Sequence, residues 1–354
     1  MDASEKLLKE LTEAHGVPGY EHQVGALMRE LLEPLGEIKQ DNMGSLICQL
    51  GGDGPGVMLA GHMDEIGFMV RLITKEGFLK FVPLGGWWDQ VLLGHRVIVK
   101  THRGDVPGVI GAKPPHMLPA DERNKIVEKN KMYIDIGATS KAEVQEAGVR
   151  PGDPVVPDSS FVSLAGGKTY LSKAFDDRVG CAMMVEVLQH FAQNEHPNVI
   201  YGAATVQEEV GLRGARTSVE VVNPDVAIVL ESDIAGDVPG IKEDESDIKL
   251  GGGPSLIIYD RSMIPHLRLR DLVIDTARQQ GIPLQFSAIP GGGTDGGAIQ
   301  QHKAGVPTVV IGVAARHIHS HSAIIHRDDY DHAVKLLIAV ISQLDSETVA
   351  GLTV

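Results

Sequence analysis

The chain has 354 residues, of which 43% are hydrophobic and 22% are charged, an ordinary balance for a globular protein. Its net charge of −15 makes nucleic acid and anionic membranes poor candidate partners. Two cysteines give no disulfide framework, and no stretch approaches the roughly 18 apolar residues of a membrane span. The N-terminal residues lack the pattern of a secretion signal, so we expect a cytoplasmic protein. The length favours one large domain and a smaller one.

Two amphipathic helices followed by two strands are expected first along the chain. Apolar residues at helical spacing predict helices over 4–15 and 20–32. Apolar runs predict strands over 45–50 and 57–60, with the glycine-rich turn GGDGPG between them.

Between residues 71 and 163 the character of the sequence changes. Short apolar runs such as FLKFVPL, HRVIVK and KMYIDIG alternate with Gly, Pro and charged turns, and only 140–147 shows a short helical pattern. This pattern is typical of a small, mostly β module. We therefore expect a β-rich, barrel-like domain over 71–163, inserted into a discontinuous larger domain made of 1–70 and 164–354.

From residue 173 onward, predicted helices and strands alternate. In chain order they are a helix over 177–191, strands over 199–206 and 226–230, a helix from Leu269 to a cap at Gly281, strands over 284–289 and 308–313, and a helix over 329–344. Such alternation implies an α/β fold in which a mostly parallel mixed sheet lies between two helical layers.

Histidines and acidic residues gather where the predicted strands end. In open α/β sheets, sites form beyond the carboxyl ends of the strands, so residues at these ends converge on one edge. The residues concerned are His62, Asp64, Glu208, Glu209, Glu231 and His319, with Asp176 and Asp177 at the start of the helix over 177–191.

Each of these groups also has an ordinary structural interpretation. Asp176 and Asp177 could cap a helix, where a carboxylate favours the helix dipole. Glu208 and Glu209 could be a solvated loop pair, and the histidines of RHIHSHSAIIH could lie in a surface loop. The occurrence of all of them at strand ends favours a shared site.

Two histidines with several carboxylates form the ligand set of a two-metal hydrolytic site. Nitrogen and oxygen ligands without cysteine suit zinc, cobalt or manganese. Two ions about 3.5–4 Å apart can share a water, lower its pKa toward about 7 and polarise a carbonyl. Glu208 and Glu209 are adjacent and point in different directions, so one can bind metal while the other moves a proton.

Six motifs carry a resemblance to a known family. They are AGHMDEIGFMV, KAFDDRVGCA, VQEEVGLRGA, IAGDVPG, GGGTDGGAI and RHIHS, in this order. The set resembles the M42 metallo-aminopeptidases, the glutamyl aminopeptidase and tetrahedral aminopeptidase group. GGWWDQVLLGHRV also resembles the inserted domain of that family, so the likeness covers nearly the whole chain.

The resemblance implies a role for each residue. His62 would be a metal ligand oriented by Asp64, Asp176 would bridge the two metals, and Asp177 would support the site. Glu208 would be the general base. The remaining metal ligands would be Glu209, Glu231 and His319, and the cofactors would be two divalent ions per subunit, zinc or cobalt.

The sequence departs from the family pattern at two of these positions. Where Glu231 stands the family more often has Asp, which makes Asp233 a competing ligand. His317 replaces the usual Tyr, so His317 and His321 both compete with His319. The loop 290–300, PGGGTDGGAIQ, could wall the pocket for the first substrate side chain or be a plain turn capped by Thr294 or Asp295.

The function that the resemblance implies is a metal-dependent aminopeptidase acting on peptides. It also implies self-association, with dimers formed through the inserted domain and six dimers in a tetrahedral dodecamer. The alternatives are an amidohydrolase or carboxypeptidase on the same metal site, a glycoside hydrolase, or a metal-binding protein without catalysis. Glycoside hydrolysis needs two carboxylates flanking a sugar, and Trp87 and Trp88 are the only tryptophans available as sugar platforms.

Overall fold

The computed structural model describes residues 1–242 and 244–352 and contains a large sheet, a barrel and surrounding helices. The helices are α1 (Ala3–Glu13), α2 (His22–Leu32), α3 (Lys141–Glu146), α4 (Phe175–Phe191), α5 (Arg213–Val222), α6 (Leu267–Gln280), α7 (Asp295–Ile299), α8 (Arg327–Ile341) and α9 (Ser346–Leu352). The strands are β1 (Glu37–Gln40), β2 (Leu46–Leu50), β3 (Gly56–His62), β4 (Gly67–Ile73), β5 (Leu79–Leu84), β6 (Arg96–Thr101), β7 (Gly104–Gly111), β8 (Tyr133–Asp135), β9 (Pro154–Pro157), β10 (Val162–Leu164), β11 (Thr169–Ser172), β12 (Val199–Thr205), β13 (Val226–Ile234), β14 (Ser255–Asp260), β15 (Gln285–Ile289), β16 (Thr308–Arg316) and β17 (Ala323–His326).

Parallel strands form the centre of the large sheet. They lie in the order β12, β3, β13 and β16, so their carboxyl ends meet at one edge. Strands β2 and β1 extend the sheet antiparallel on one side, and β17, β11 and β10 extend it on the other. The β14–β15 pair joins through an antiparallel contact between β14 and β16. The mixed sheet expected from the sequence is confirmed.

Helices cover both faces of this sheet because its central strands are apolar on both sides. In β3, Val57 and Leu59 pack into a core shared with α1, α4 and α8, whereas Met58 and Ala60 pack into a core shared with α5 and neighbouring elements. A strand buried on both faces needs no polar alternation, which explains the continuous apolar run in this segment. The α/β fold with three layers is therefore confirmed.

A closed barrel contains the strands between residues 67 and 157, in the order β4, β5, β8, β7, β6 and β9. Phe68 and Trp87 stack in its core with ring centroids 4.8 Å apart. Strand β10 lies beyond the barrel and pairs within the large sheet. The barrel-like module is thus present, while the domain limits at 71 and 163 stay a prediction.

Helix boundaries agree with the expected ones within a few residues. Helix α6 ends at Gly281, whose φ of 63° suits a left-handed cap, as its sequence predicts. Helix α4 begins with a departure from helical geometry at Asp176 and Asp177, which are joined by a cis peptide bond. Within the described ranges, no helix is both long enough and apolar enough to cross a bilayer.

Candidate active site

The histidines and carboxylates singled out from the sequence converge at the carboxyl edge of the parallel strands. His62 is the last residue of β3, and Glu231 lies in β13, which pairs with β3 in parallel. Glu208 and Glu209 follow β12, and His319 follows β16. The parallel arrangement of these strands is therefore what brings together side chains that are distant in sequence.

Asp176 lies between the two histidines. One carboxylate oxygen, Oδ1, is 3.2 Å from Nε2 of His62, and the other, Oδ2, is 3.1 Å from Nε2 of His319. A single carboxylate thus contacts both imidazoles, one with each oxygen.

Both imidazoles are held so that Nε2 faces Asp176. Nδ1 of His62 donates to the backbone carbonyl of Asp64 at 2.9 Å, and Nδ1 of His319 donates to the carbonyl of Gly86 at 2.7 Å. A carbonyl only accepts hydrogen bonds, so in the neutral ring Nδ1 carries the proton and Nε2 keeps its lone pair. Each histidine thus presents the nitrogen that a metal ion requires.

Asp64 is fully buried, and its carboxylate organises the Glu208–Glu209 loop. Oδ1 accepts the backbone N–H of Glu208 and Oδ2 accepts that of Glu209, each at 3.0 Å. The carboxylate oxygen nearest to Nδ1 of His62 is 3.6 Å away, farther than the Asp64 carbonyl. Asp64, which was expected to orient His62, therefore contacts the His62 ring with its backbone carbonyl and the Glu208–Glu209 backbone with its carboxylate.

The remaining acidic side chains surround the two histidines. Glu208 and Glu231 each place Oε2 3.9 Å from Nε2 of His62. Glu209 places Oε1 3.5 Å from Nε2 of His319, and that oxygen has no hydrogen-bond partner in the described part of the chain. At these distances, the carboxylate oxygens and the imidazole nitrogens could bind the same cation.

The crowding of carboxylates shifts their pKa values. Burial, followed by the charge of Asp176, raises the pKa of Glu209 to about 8. Burial also raises the pKa of Glu208 and of Glu231 well above the ordinary value, with neighbouring carboxylates adding to the shift. Burial alone would lower the pKa of His319, but contact with Asp176 and the charge of Glu209 raise it to about 9. These carboxyl groups therefore ionise readily only when a positive charge lies beside them.

The donor set fits divalent metal ions. Ligand atoms of His62, Asp176 and Glu209 lie within 4.8 Å of one another, and so do those of His62, Asp177 and Glu231. The Asp177 carboxylate also accepts the backbone N–H groups of His62 and Gly180. Imidazole nitrogens and carboxylate oxygens suit zinc and similar ions.

Two of the residues expected to compete as ligands, Asp233 and His321, have partners of their own, although Asp233 lines the same cavity as Glu231. Asp233 is buried and accepts hydrogen bonds from the Ile234 backbone and the Ser287 hydroxyl. His321 is buried against His95, with ring centroids 3.9 Å apart. His317 is exposed, and His319 is the histidine of this segment that contacts Asp176.

Several residues near the site were not singled out by sequence reasoning. Glu21 accepts the backbone N–H of Gln207, just before the Glu-Glu pair, and Asp295 accepts the hydroxyl of Thr205 at 2.6 Å. Burial raises the pKa of Asp295 to about 6. Isolated acids of this kind resemble surface residues in a sequence, and only the motif GGGTDGG gave any signal for Asp295.

The cluster opens into a cavity of about 1100 Å³. The loop from Pro290 to Thr294 lines it, as does part of β15. Thr294 also precedes α7, but its hydroxyl donates to Asp260 and makes no capping bond to the helix. The glycine-rich loop therefore forms part of the wall of the cavity, and Asp295 lies in the first turn of α7.

Comparison with known proteins decides the family. A family model described as M42 glutamyl aminopeptidase matches residues 44–336, and a second model, AMPT, matches residues 2–28. The chain belongs to the M42 glutamyl aminopeptidase family. It is accordingly an enzyme, a peptidase of the aminopeptidase type, from a metal-dependent family.

Similar M42 proteins match the chain along its whole length. Glutamyl aminopeptidase from Lactococcus lactis subsp. cremoris (strain MG1363) is 36% identical over 349 residues, which cover 97% of each chain. The TET aminopeptidase from the marine sediment archaeon Thaumarchaeota archaeon SCGC AB-539-E09 is 52% identical, with a TM-score of 0.97 and coverage of 99% of this chain and 98% of that one. Pyrococcus horikoshii TET1 peptidase is 33% identical, with a TM-score of 0.87 and coverage of 97% and 100%. That peptidase is described as able to assemble into a tetrahedron or a large octahedral shell.

Proposed function

We propose that this M42 enzyme removes N-terminal residues from peptides at a centre of two divalent ions. His62, Glu209, Glu231 and His319 would hold the ions, and Asp176 would bridge them. The observation that carries this proposal is the position of Asp176, whose two carboxylate oxygens each contact a different histidine. Zinc and cobalt suit this mixture of nitrogen and oxygen donors.

When bound, two such ions acidify a water molecule and polarise the carbonyl of the first peptide bond. Glu208 is the general base of the proposal: its carboxylate takes the proton from the attacking water and passes it to the leaving amine. Glu208 suits this task because its Oε2 lies 3.9 Å from Nε2 of His62, beside the residues that would hold the ions. Its backbone N–H bond to Asp64 fixes the loop from which the carboxylate projects.

The proposal requires a free α-amino group on the substrate. Besides the proposed ligands and base, the cavity beside the histidines is lined by further acidic side chains, among them Asp244, Glu245 and Asp247. Carboxylates attract an ammonium group and not an acetylated, neutral nitrogen. The cavity should therefore bind the N-terminal end of a peptide, because that end carries the ammonium group.

Self-association through the barrel, up to a tetrahedral dodecamer, is part of the same proposal. Its support is the assembly described for Pyrococcus horikoshii TET1 peptidase, together with apolar residues exposed on the barrel. A cytoplasmic location is likewise a proposal, which rests on the composition, with only two cysteines and a net charge of −15.

The experiment compares matched peptides with free and acetylated N-termini, before and after metal removal. We expect hydrolysis of the free peptides, loss of activity in EDTA, recovery with zinc or cobalt, and two ions per chain by elemental analysis. Equal rates on free and acetylated peptides would favour an amidohydrolase. Less than one ion per chain in active protein would refute the two-metal centre.

A further inference from the structure

The cavity beyond the metal-binding cluster has an apolar wall. Ile234 at the end of β13 and Phe286 on β15 line it, and their side chains are 47% and 45% exposed. Ile289 and Ile318 line it as well. Large aliphatic and aromatic side chains that remain exposed inside a cavity gain free energy when a ligand covers them.

Apart from the proposed ligands His62 and His319, the ionisable side chains among the described lining residues of the cavity are all acidic. Among its lining residues in the described ranges, eight are Asp or Glu and none is Lys or Arg. Lys242, close in sequence to the lining acids Asp244 and Glu245, lines a neighbouring cavity together with Phe286. Its backbone N–H donates a hydrogen bond to the Glu245 carboxylate. Even with two divalent ions bound, ionised carboxylates would leave the cavity negative.

From these two features we infer that the enzyme selects peptides whose first side chain has an aliphatic stem and no negative charge, such as Leu, Met or Lys, and discriminates against Glu and Asp. The inference rests on the proposed function, because it identifies this cavity as the binding site for the first residue. It separates this chain from the glutamyl specificity in the name of its family.

The physical basis is the cost of placing a carboxylate in such a cavity. A glutamate side chain would lose water and would find no lysine or arginine among the described lining residues, while acids such as Asp247 would repel it. A leucine or methionine would instead cover Ile234 and Phe286. A lysine could lay its methylene stem on the same wall and keep its ammonium group near the acids.

The test uses aminoacyl-anilides of Leu, Met, Lys, Gln and Glu with the metal-loaded enzyme. Gln and Glu have nearly the same shape, so their ratio of kcat/KM isolates charge. We expect Gln to exceed Glu by about tenfold or more, since a cleft lined by one sign of charge changes the encounter of charged ligands by that order. Added salt should narrow this ratio by screening. The Leu, Met and Lys substrates should be the best.

The anilide assay distinguishes failure of this inference from failure of the proposed function. Hydrolysis of Glu as fast as that of Gln overturns the inference and leaves the aminopeptidase proposal intact. Failure to hydrolyse any free anilide, with two ions bound, overturns the proposed function and the inference with it.

A pair of variants tests the wall directly. Ile234→Arg places a cation inside the cavity and should raise the rate on Glu relative to Gln by several-fold. Ile258→Arg is the matched control, since Ile258 is also a strand residue, 40% exposed, and lies outside the lining residues. Phe286→Arg gives a second position inside the cavity if Ile234→Arg fails to fold. An unchanged Glu to Gln ratio in a folded cavity variant would overturn the inference.

Discussion

Asp64 holds His62 and the Glu208–Glu209 loop in fixed positions relative to each other, as the proposed mechanism requires. Its carbonyl oxygen fixes the ring of His62, and its carboxylate fixes the backbone of Glu208 and Glu209. Charge-assisted hydrogen bonds of this kind are strong when buried, so the loop cannot move far from the end of β3. The distance between the proposed base and the proposed ligands is thus set by one side chain.

The adjacent residues Glu208 and Glu209 should respond differently to the same substitution. Glu208→Gln keeps the size of the side chain and removes the base, so kcat should fall by about 10²- to 10⁴-fold while metal content stays nearly constant. Glu209→Gln should lower metal content, because a neutral amide is a weaker ligand than a carboxylate, and excess metal should restore part of the activity.

Turnover and metal content are measured separately, so the two roles can be distinguished. Loss of metal in Glu208→Gln with retention in Glu209→Gln would mean that the roles are reversed. Full turnover in both variants would rule out the proposed site. Glu220→Gln is a suitable control for the substitution itself, since Glu220 is an exposed residue of α5 that pairs with His302 and lies outside the cavity lining.

At the scale of elements, the segment after β5 brings the barrel against the metal-binding cluster. The carbonyl of Gly86 accepts the hydrogen bond from His319, and a Cβ at this position would lie 3.1 Å from Nδ1 of that ring. Gly85 has a φ of 86°, and a Cβ there would contact Ile66 and lie 2.9 Å from Oε2 of Glu209. Gly85 needs glycine because of its positive φ and because a side chain would collide with Ile66 and Glu209, whereas at Gly86 the ring of His319 would have to shift by a few tenths of an ångström.

We expect Gly85→Ala to reduce both stability and metal binding. Gly94→Ala is the matched control, since Gly94 has a φ of 80° and no atom within 4 Å of the added Cβ. Both variants carry a left-handed backbone cost of about 1–2 kcal/mol. Only Gly85→Ala adds overpacking, about 1–3 kcal/mol more.

Urea denaturation and metal analysis of the two alanine variants check this expectation. Equal free energies of unfolding and equal metal content in both would show that the close approach of Gly85 to Glu209 is unimportant.

The sequence was sufficient for the central elements and insufficient for the margins of the sheet. Long apolar strands such as β3 and β13 were predicted because burial on both faces leaves a continuous apolar run. Strands β14 and β17 were not predicted: β17 has only four residues, and β14 exposes Ile258 and Tyr259, so neither shows a continuous buried run. Their antiparallel pairing with β16 depends on contacts between segments distant in the chain.

Within the candidate site, the sequence predicted side chains but not the backbone groups that hold them. The family motifs pointed to His62, Asp176 and His319, which the structure brings into contact. The carbonyl of Gly86 could not be foreseen, because a carbonyl oxygen is present at every residue and carries no signal in the sequence. The assignment of catalytic and ligand roles to the cluster stays a prediction.

For the whole molecule, the exposed surface of the barrel bears on assembly. Leu72, Leu93 and Met117 are 48%, 43% and 67% exposed, and each belongs to the barrel region. We expect the purified enzyme to form a multiple of the 37.9 kDa chain, because an interface would remove such surface from water. Multi-angle light scattering at micromolar concentration measures this, and a single species of one chain would refute it.

The hydrogen bond from His319 to Gly86 also has a consequence for biosynthesis. The ribosome makes His62 and the barrel early and His319 much later, and domains generally fold as units while the chain grows. A nascent chain can therefore form the barrel and still lack one histidine and the contact that orients it. The proposed centre is therefore complete only after β16 has joined the sheet and His319 has reached Asp176.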